Sequence, residues 1–254
     1  MAGYVGGALH PSKAPFIHAK TAIMIDAKTG RTIYQKYADT RHGAASTQKL
    51  LTAMVVIDSG NLSSFATVAK ADTLVEPSKL YLRAGDRYTR RNLLNAFLIK
   101  SSNDAAMTLA RDNAGSIGAF CSKMNAKARS YGAMRSNFTN PHGLTAAGQY
   151  SCARDVARIA YYAYKNPTIR DIVRRKHYTF TMNSGSTKQL ENTNKLLGNI
   201  PEANGMKTGY TKATGRCLVS SARRGSKEVI LVQLGSETKY IFNDAAKMMY
   251  WGLK

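Results

Sequence analysis

Ser46 and Lys49 stand three residues apart in Ser46-Thr47-Gln48-Lys49, at the head of an apolar run containing Leu50, Leu51, Met54, Val55, Val56 and Ile57. Residues three apart on a helix share a face, one turn from each other. A lysine held beside a serine in a dry pocket loses its proton through desolvation and can act as a general base on the hydroxyl. The start of the helix adds backbone N–H groups able to receive a developing oxyanion. The local alternative is that Ser46 only caps free backbone donors. Lys49 weighs against it, because a charge set among six apolar residues is costly unless it has a task.

Two other groups could complete such a site: Ser101-Ser102-Asn103 and Lys207-Thr208-Gly209. Each pattern also occurs elsewhere: SxxK at Ser236–Lys239, SxN at Ser59–Asn61 and KTG at Lys28–Gly30. Position separates them. Ser59–Asn61 ends the Ser46 helix, Lys28–Gly30 is a hairpin turn and Ser236–Lys239 is a surface connection. Ser101–Asn103 breaks between two helical stretches, where side chains can face a cleft. Lys207–Gly209 begins a strand, and Gly209 lets a ligand approach its backbone. The five histidines are scattered and Cys121, Cys152 and Cys217 are far apart, so no metal-ligand spacing is present. The cysteines read as small core residues, and one disulfide is left open.

The elements that must position these groups follow from patterning. Lys20–Lys36 reads as a hairpin turning over Ala27–Gly30. Ser46–Ser59 is a helix apolar nearly all round, hence buried. Helices are predicted over Asn92–Asp112, interrupted at Ser101–Asn103, over Ser116–Tyr131, and over Ser151–Tyr164, stopped before Pro167. Tyr178–Met182 alternates like a strand. Arg216–Arg223 and Glu228–Leu234 form a hairpin, and Lys239–Trp251 closes as an amphipathic helix. The fold class is α+β, of the α/β sandwich type. An antiparallel sheet comes from both chain ends (about 17–45 and 200–254), flanked by helices, with a mostly helical insertion over about 46–200. All 254 residues are expected to form one catalytic domain, without a C-terminal β domain or anchor in this chain.

SxxK, SxN and KTG, in that order, resemble the penicillin-binding proteins and serine β-lactamases. The chain is most similar to the low-molecular-mass D-alanyl-D-alanine carboxypeptidases, peptidase family S11. The likeness is carried by 44–53, 100–106, Asn140-Pro141-His142-Gly143-Leu144, 150–155 and Gly205–Thr211, and it extends roughly over Lys20–Trp251. It implies a β-lactamase/transpeptidase-like fold and no cofactor or metal. The substrate would be a peptidoglycan stem peptide ending in D-Ala-D-Ala, with β-lactams as covalent inhibitors. Ser46 would attack the carbonyl, Lys49 would take the proton, and Ser101 with Lys207 would relay one to the leaving amine. Lys207 and Thr208 would hold the terminal carboxylate, Asn103 the substrate amide, and the N–H groups of Ser46 and Tyr210 the oxyanion. Asn140–Leu144 and Tyr150–Asp155 read as structural, and His142 is not expected to be catalytic. Tyr210 stands where relatives often carry His, and Cys152 where they carry Thr.

A class A β-lactamase needs a deacylating glutamate, and neither Glu191 nor Glu202 stands in its Glu-x-x-Leu-Asn setting. A D,D-endopeptidase cutting cross-links is the nearer alternative. Charge suggests a third class: 37 basic against 15 acidic residues give +22. Yet the imbalance is 14 against 6 over 1–100, 14 against 5 over 101–200 and 9 against 4 over 201–254, so no basic arm stands out. This suits an anionic cell-envelope surface and not nucleic acid. At 44% hydrophobic the chain is not disordered, and its longest apolar runs, such as Leu50–Ile57 and Leu93–Ile99, are too short to span a membrane. Met1–Tyr4 opens no signal peptide, so the expected extracytoplasmic location in a bacterial envelope, periplasmic or on the wall side, presumes a leader already removed.

Overall fold

The computed structural model describes residues 13–254. In chain order, β1 (Thr21–Asp26) and β2 (Thr32–Lys36) form the expected hairpin. A 3-10 turn (Ala45–Gln48) leads into α1 (Lys49–Asp58), then β3 (Phe65–Thr67), a second 3-10 turn (Lys70–Leu74) and β4 (Arg87–Thr89). Next come α2 (Arg90–Ile99), α3 (Asn103–Ala114), α4 (Ile117–Ser130), α5 (Ala153–Lys165) and α6 (Pro167–Val173). The chain closes with β5 (His177–Thr181), β6 (Thr187–Glu191), β7 (Ala203–Thr211), β8 (Gly215–Arg224), β9 (Lys227–Ser236) and α7 (Ile241–Gly252).

Five strands from the two ends make one antiparallel sheet in the order β2-β1-β9-β8-β7. β9 is buried at almost every position because both of its faces are covered. Ile230, Val232 and Leu234 face the helical layer, while Val229 and Leu231 face α7, meeting Ala245, Met248 and Met249. β7 is left as an edge strand, and the 3-10 turn ahead of α1 lies against it.

α1 is buried at every position from Lys49 to Val56. Its start departs from the expectation: the chain enters through the 3-10 turn, with Ala45 left-handed at φ 47°, and no side chain caps the helix. Ser46 is therefore not a cap. The helix predicted to stop before Pro167 does stop, but a second one begins there. Pro167 occupies the first turn of α6, and Asn166 Oδ1 accepts from the N–H groups of Thr168 and Ile169. The β3–β4 and β5–β6 pairs were only partly legible, since each strand alternates with half its residues exposed and three of the four lack a long apolar signal. Cys121, Cys152 and Cys217 are buried and unpaired. Among the described residues no helix is long and apolar enough to cross a membrane.

Candidate active site

The 3-10 turn sets Ser46 at the entrance of α1, and the tighter turn brings Lys49 under it. Lys49 Nζ lies 2.9 Å from Ser46 Oγ, 2.7 Å from Asn103 Oδ1 and 2.6 Å from the His142 carbonyl oxygen. Two of these neighbours are carbonyl oxygens, which can only accept. The Ser46 hydroxyl is itself 3.2 Å from the His142 carbonyl oxygen; a neutral amine that gives its two N–H groups to the carbonyls keeps a lone pair with which to take the hydroxyl proton. Lys49 is wholly buried, and the ring of Phe97 stands 5.9 Å from its nitrogen. Burial, and then the positive charge of Lys207, hold its pKa well below the ordinary lysine value. No carboxylate pairs with either lysine among the described residues, and this lets desolvation win.

The Asn140–Leu144 turn is built onto this arrangement. Asn140 Oδ1 accepts from the N–H of Gly143 at 2.7 Å, and its Nδ2 donates to the Leu144 carbonyl at 3.0 Å. Gln48 Nε2 donates to the Asn140 carbonyl at 2.6 Å, and Thr52 Oγ1 to that of Pro141 at 2.7 Å. Gly143 (φ 93°) is necessary: a Cβ there would fall 2.2 Å from the Ala45 carbonyl oxygen. The turn is structural, as expected, and it also delivers a backbone acceptor that side-chain reasoning missed. The His142 ring is buried, and burial pushes its pKa down to about 3, so it is neutral and its Nδ1 accepts from Leu144 N–H.

Ser101 sits in the break between α2 and α3 with φ 68°, and no protein group engages its hydroxyl among the described residues. Asn103 has partners inside the protein. Its Oδ1 accepts from Lys49, and its Nδ2 donates to the Pro77 carbonyl at 2.6 Å, so both ends of the amide are used inside the protein. It orients Lys49 and ties down the loop over 75–86, which Asp104 also grips by accepting from the N–H groups of Leu80 and Leu82.

Lys207, Thr208, Gly209 and Tyr210 lie on β7. Lys207 is buried, and burial alone pushes its pKa down to about 7. Its Nζ donates to the Thr208 carbonyl at 3.0 Å. The Thr208 hydroxyl is 2.6 Å from that of Thr193, a neighbour no motif disclosed. A Cβ on Gly209 would stand 2.8 Å from Ser46 N, so the missing side chain is what lets β7 meet the serine's backbone. The Tyr210 ring is half-exposed and lies 4.5 Å from the Arg216 guanidinium, which leaves only its backbone for the site.

A serine hydroxyl at a buried, unpaired lysine, flanked by a second buried lysine on an edge strand, defines a serine peptidase of the penicillin-recognising class. The chain belongs to the D-alanyl-D-alanine carboxypeptidase family, whose model matches residues 9–238. A D-alanyl-D-alanine carboxypeptidase of Streptomyces sp. (strain K15) is 37% identical over 257 residues, covering 94% of this chain and 88% of the relative. The D-alanyl-D-alanine carboxypeptidase DacF of Bacillus subtilis is 32% identical over 87% of this chain, which spans only 58% of that relative's length. The crystal structure of the Streptomyces K15 DD-transpeptidase superposes with a TM-score of 0.90 at 34% identity, over 95% of this chain and 99% of the other.

Proposed function

We propose that the protein is a serine D,D-carboxypeptidase that removes the terminal D-alanine from peptidoglycan stem pentapeptides. The carrying observation is Lys49, buried and aimed at Ser46 Oγ while two carbonyls occupy its remaining hydrogens. Ser46 Oγ attacks the carbonyl between the two D-alanines as its proton passes to the Lys49 amine. The N–H groups of Ser46 and Tyr210 receive the oxyanion, each worth roughly 2.7–4 kcal/mol of barrier in comparable acyl transfers. The C–N bond breaks as Ser101, backed by Lys207, protonates the departing amine. Lys207 and Thr208, with Gly209 keeping the approach open, hold the terminal carboxylate by charge and hydroxyl. Water then cleaves the acyl-enzyme, and no cofactor takes part. Penicillins would acylate Ser46 and leave slowly.

The described residues fit one catalytic domain acting outside the cytoplasm, and the +22 charge favours an anionic envelope. Labelling with a fluorescent penicillin tests the central reading: the wild type takes the label on Ser46 and Ser46→Ala does not. An unlabelled wild type would refute it. Mass spectrometry of products from a pentapeptide and from a cross-linked muropeptide then separates carboxypeptidase from endopeptidase action.

A further inference from the structure

Two clefts flank α6. One, about 460 Å³, is bordered by Lys165, Arg170, Arg174, Arg223 and Asn204. The other, about 510 Å³, is bordered by Arg87, Arg91 and Arg175 with Asn92, Asn95 and Tyr178. Asp171 borders both and is the single carboxylate on either lining. The seven cations come from three separated stretches of sequence and are gathered because α6 packs against α2, α5 and β7.

Little of this charge is neutralised. Asp171 pairs with Arg174 at 3.2 Å and with Arg175. Glu228, buried below the first cleft, lies 3.9 Å from Arg170 and 3.7 Å from Arg223 while also accepting from the Tyr164 hydroxyl. Two carboxylates thus face seven cations. Several guanidinium groups are already held in place: Arg175 donates to Asn95 Oδ1 at 3.1 Å, and Arg87 stacks 5.2 Å from the Phe65 ring. A fixed planar fork loses less freedom on meeting an oxyanion than a mobile lysine does.

The clefts sit close to the chemistry. Asn204 is three residues before Lys207 on β7, about 10 Å at strand rise. Arg91 is one helix length from Ser101, about 15 Å. They are separated by a helix about 10 Å thick, so a small ion fills one and only an extended chain reaches both. The linings offer no broad apolar face for a bilayer, since Phe65 is the one large exposed hydrophobic residue there and the Arg87 guanidinium stands beside its ring. They offer little stacking surface for bases: Tyr88 is buried, and the Arg87 guanidinium already stands at the Phe65 ring.

We infer that the α6 belt, six of whose seven cations are arginines with planar forks that match phosphate oxygens, is a docking surface for a linear polyanion carrying phosphate groups at intervals, laid across the helix. It would keep the protein beside the polymer on which the proposed active site works; the inference rests on that reading for its purpose, while the binding itself does not involve Ser46.

The test titrates the full chain with long-chain polyphosphate, with poly-L-glutamate of matched charge, with a single-stranded oligonucleotide and with anionic phospholipid vesicles, at several salt concentrations. Polyphosphate should bind with a log–log salt slope of about −3.5 to −5, as five to seven contacts predict, and more tightly than poly-L-glutamate. Orthophosphate should compete only at concentrations roughly a hundredfold or more higher. Arg174→Gln/Arg223→Gln and Arg87→Gln/Arg91→Gln should each weaken polymer binding by roughly 10- to 30-fold and make the slope shallower by about 1.4. Lys28→Gln/Arg129→Gln, which removes the same charge elsewhere, should leave binding unchanged. Penicillin acylation of Ser46 should be equal in all these proteins, which reports intact folding. Equal weakening by the Lys28/Arg129 pair, competition by orthophosphate at polymer concentrations, or preference for poly-L-glutamate, the oligonucleotide or vesicles would each overturn the inference. Failure of the wild type to acylate would instead overturn the proposed function and leave the polymer result standing.

Discussion

The contact between β7 and the 3-10 turn can be tested by one methyl group. In Gly209→Ala the new Cβ would stand 2.8 Å from Ser46 N, 3.0 Å from Ala45 Cβ and 3.1 Å from Thr47 N. Two of these neighbours are backbone nitrogens, and none is the yielding tip of a long side chain. Ordinary heavy-atom contact begins near 3.5 Å, so strand and turn must part by about 0.7 Å. The oxyanion donors proposed at Ser46 and Tyr210 lie on the two sides of this contact, and their hydrogen bonds tolerate only about 2.7–3.1 Å. Opening the gap weakens one donor, so acylation by a fluorescent penicillin should slow by roughly 10²-fold, near the loss seen on deleting a whole oxyanion donor. Overpacking of this size should cost about 1–3 kcal/mol of stability, leaving a folded protein by circular dichroism. The assay is the second-order acylation rate constant, checked against pentapeptide hydrolysis. A folded Gly209→Ala protein acylating within about threefold of wild type would refute the oxyanion geometry.

Further outcomes concern the lysines and their supports. Lys207→Met replaces an unpaired buried ammonium by an apolar chain of similar size, so it should raise thermal stability at pH 7 while abolishing hydrolysis of D-Ala-D-Ala substrates. Lys207 has a folded pKa of about 7 against an unfolded 10.5. The unfolded state therefore holds the extra proton between those values, and wild-type stability should rise with pH through this window, closing the gap to Lys207→Met. Over the same range the free enzyme loses the Lys207 charge, so kcat/KM for a carboxylate-terminated peptide should fall relative to its C-terminal amide as pH climbs above about 7. Asn103→Leu keeps bulk but removes the Lys49 acceptor and should slow acylation by roughly 10- to 100-fold through a displaced amine. Gly143→Ala, with its Cβ 2.2 Å from the Ala45 carbonyl oxygen, should lower the melting temperature more than Gly209→Ala does.

What was legible in the sequence was whatever is carried by side-chain type and order. Ser46, Lys49, Ser101, Asn103 and Lys207 stood out by motif, and the buried helix and the β8–β9 hairpin by apolar pattern. Less legible was what the backbone contributes. The His142 carbonyl reaches Lys49 because Asn140 and Gly143 shape a turn, and a reading that asked whether the imidazole was catalytic could not see it. That Asn103 also holds Lys49 and the Pro77 carbonyl was not legible, because sequence shows a polar amide and not its neighbours. Pro167 was taken as a stop, whereas after Asn166 it is equally a start, and α6 followed from that. The cations of the α6 belt are far apart in sequence, and only the packing of that helix makes them one surface.

α1 is buried from Lys49 to Val56, and Ser46 and Lys49 stand at its entrance. Sites placed on peripheral lids and loops can open locally at low free-energy cost while the rest of the molecule stays folded. Here the unit that would have to open is the centre of the hydrophobic core, so the site has no independent melting of its own. Penicillin-binding competence and hydrogen-exchange protection of α1 should be lost in a single transition, at the same denaturant concentration, and the acylation reaction thereby reports on the integrity of the whole fold.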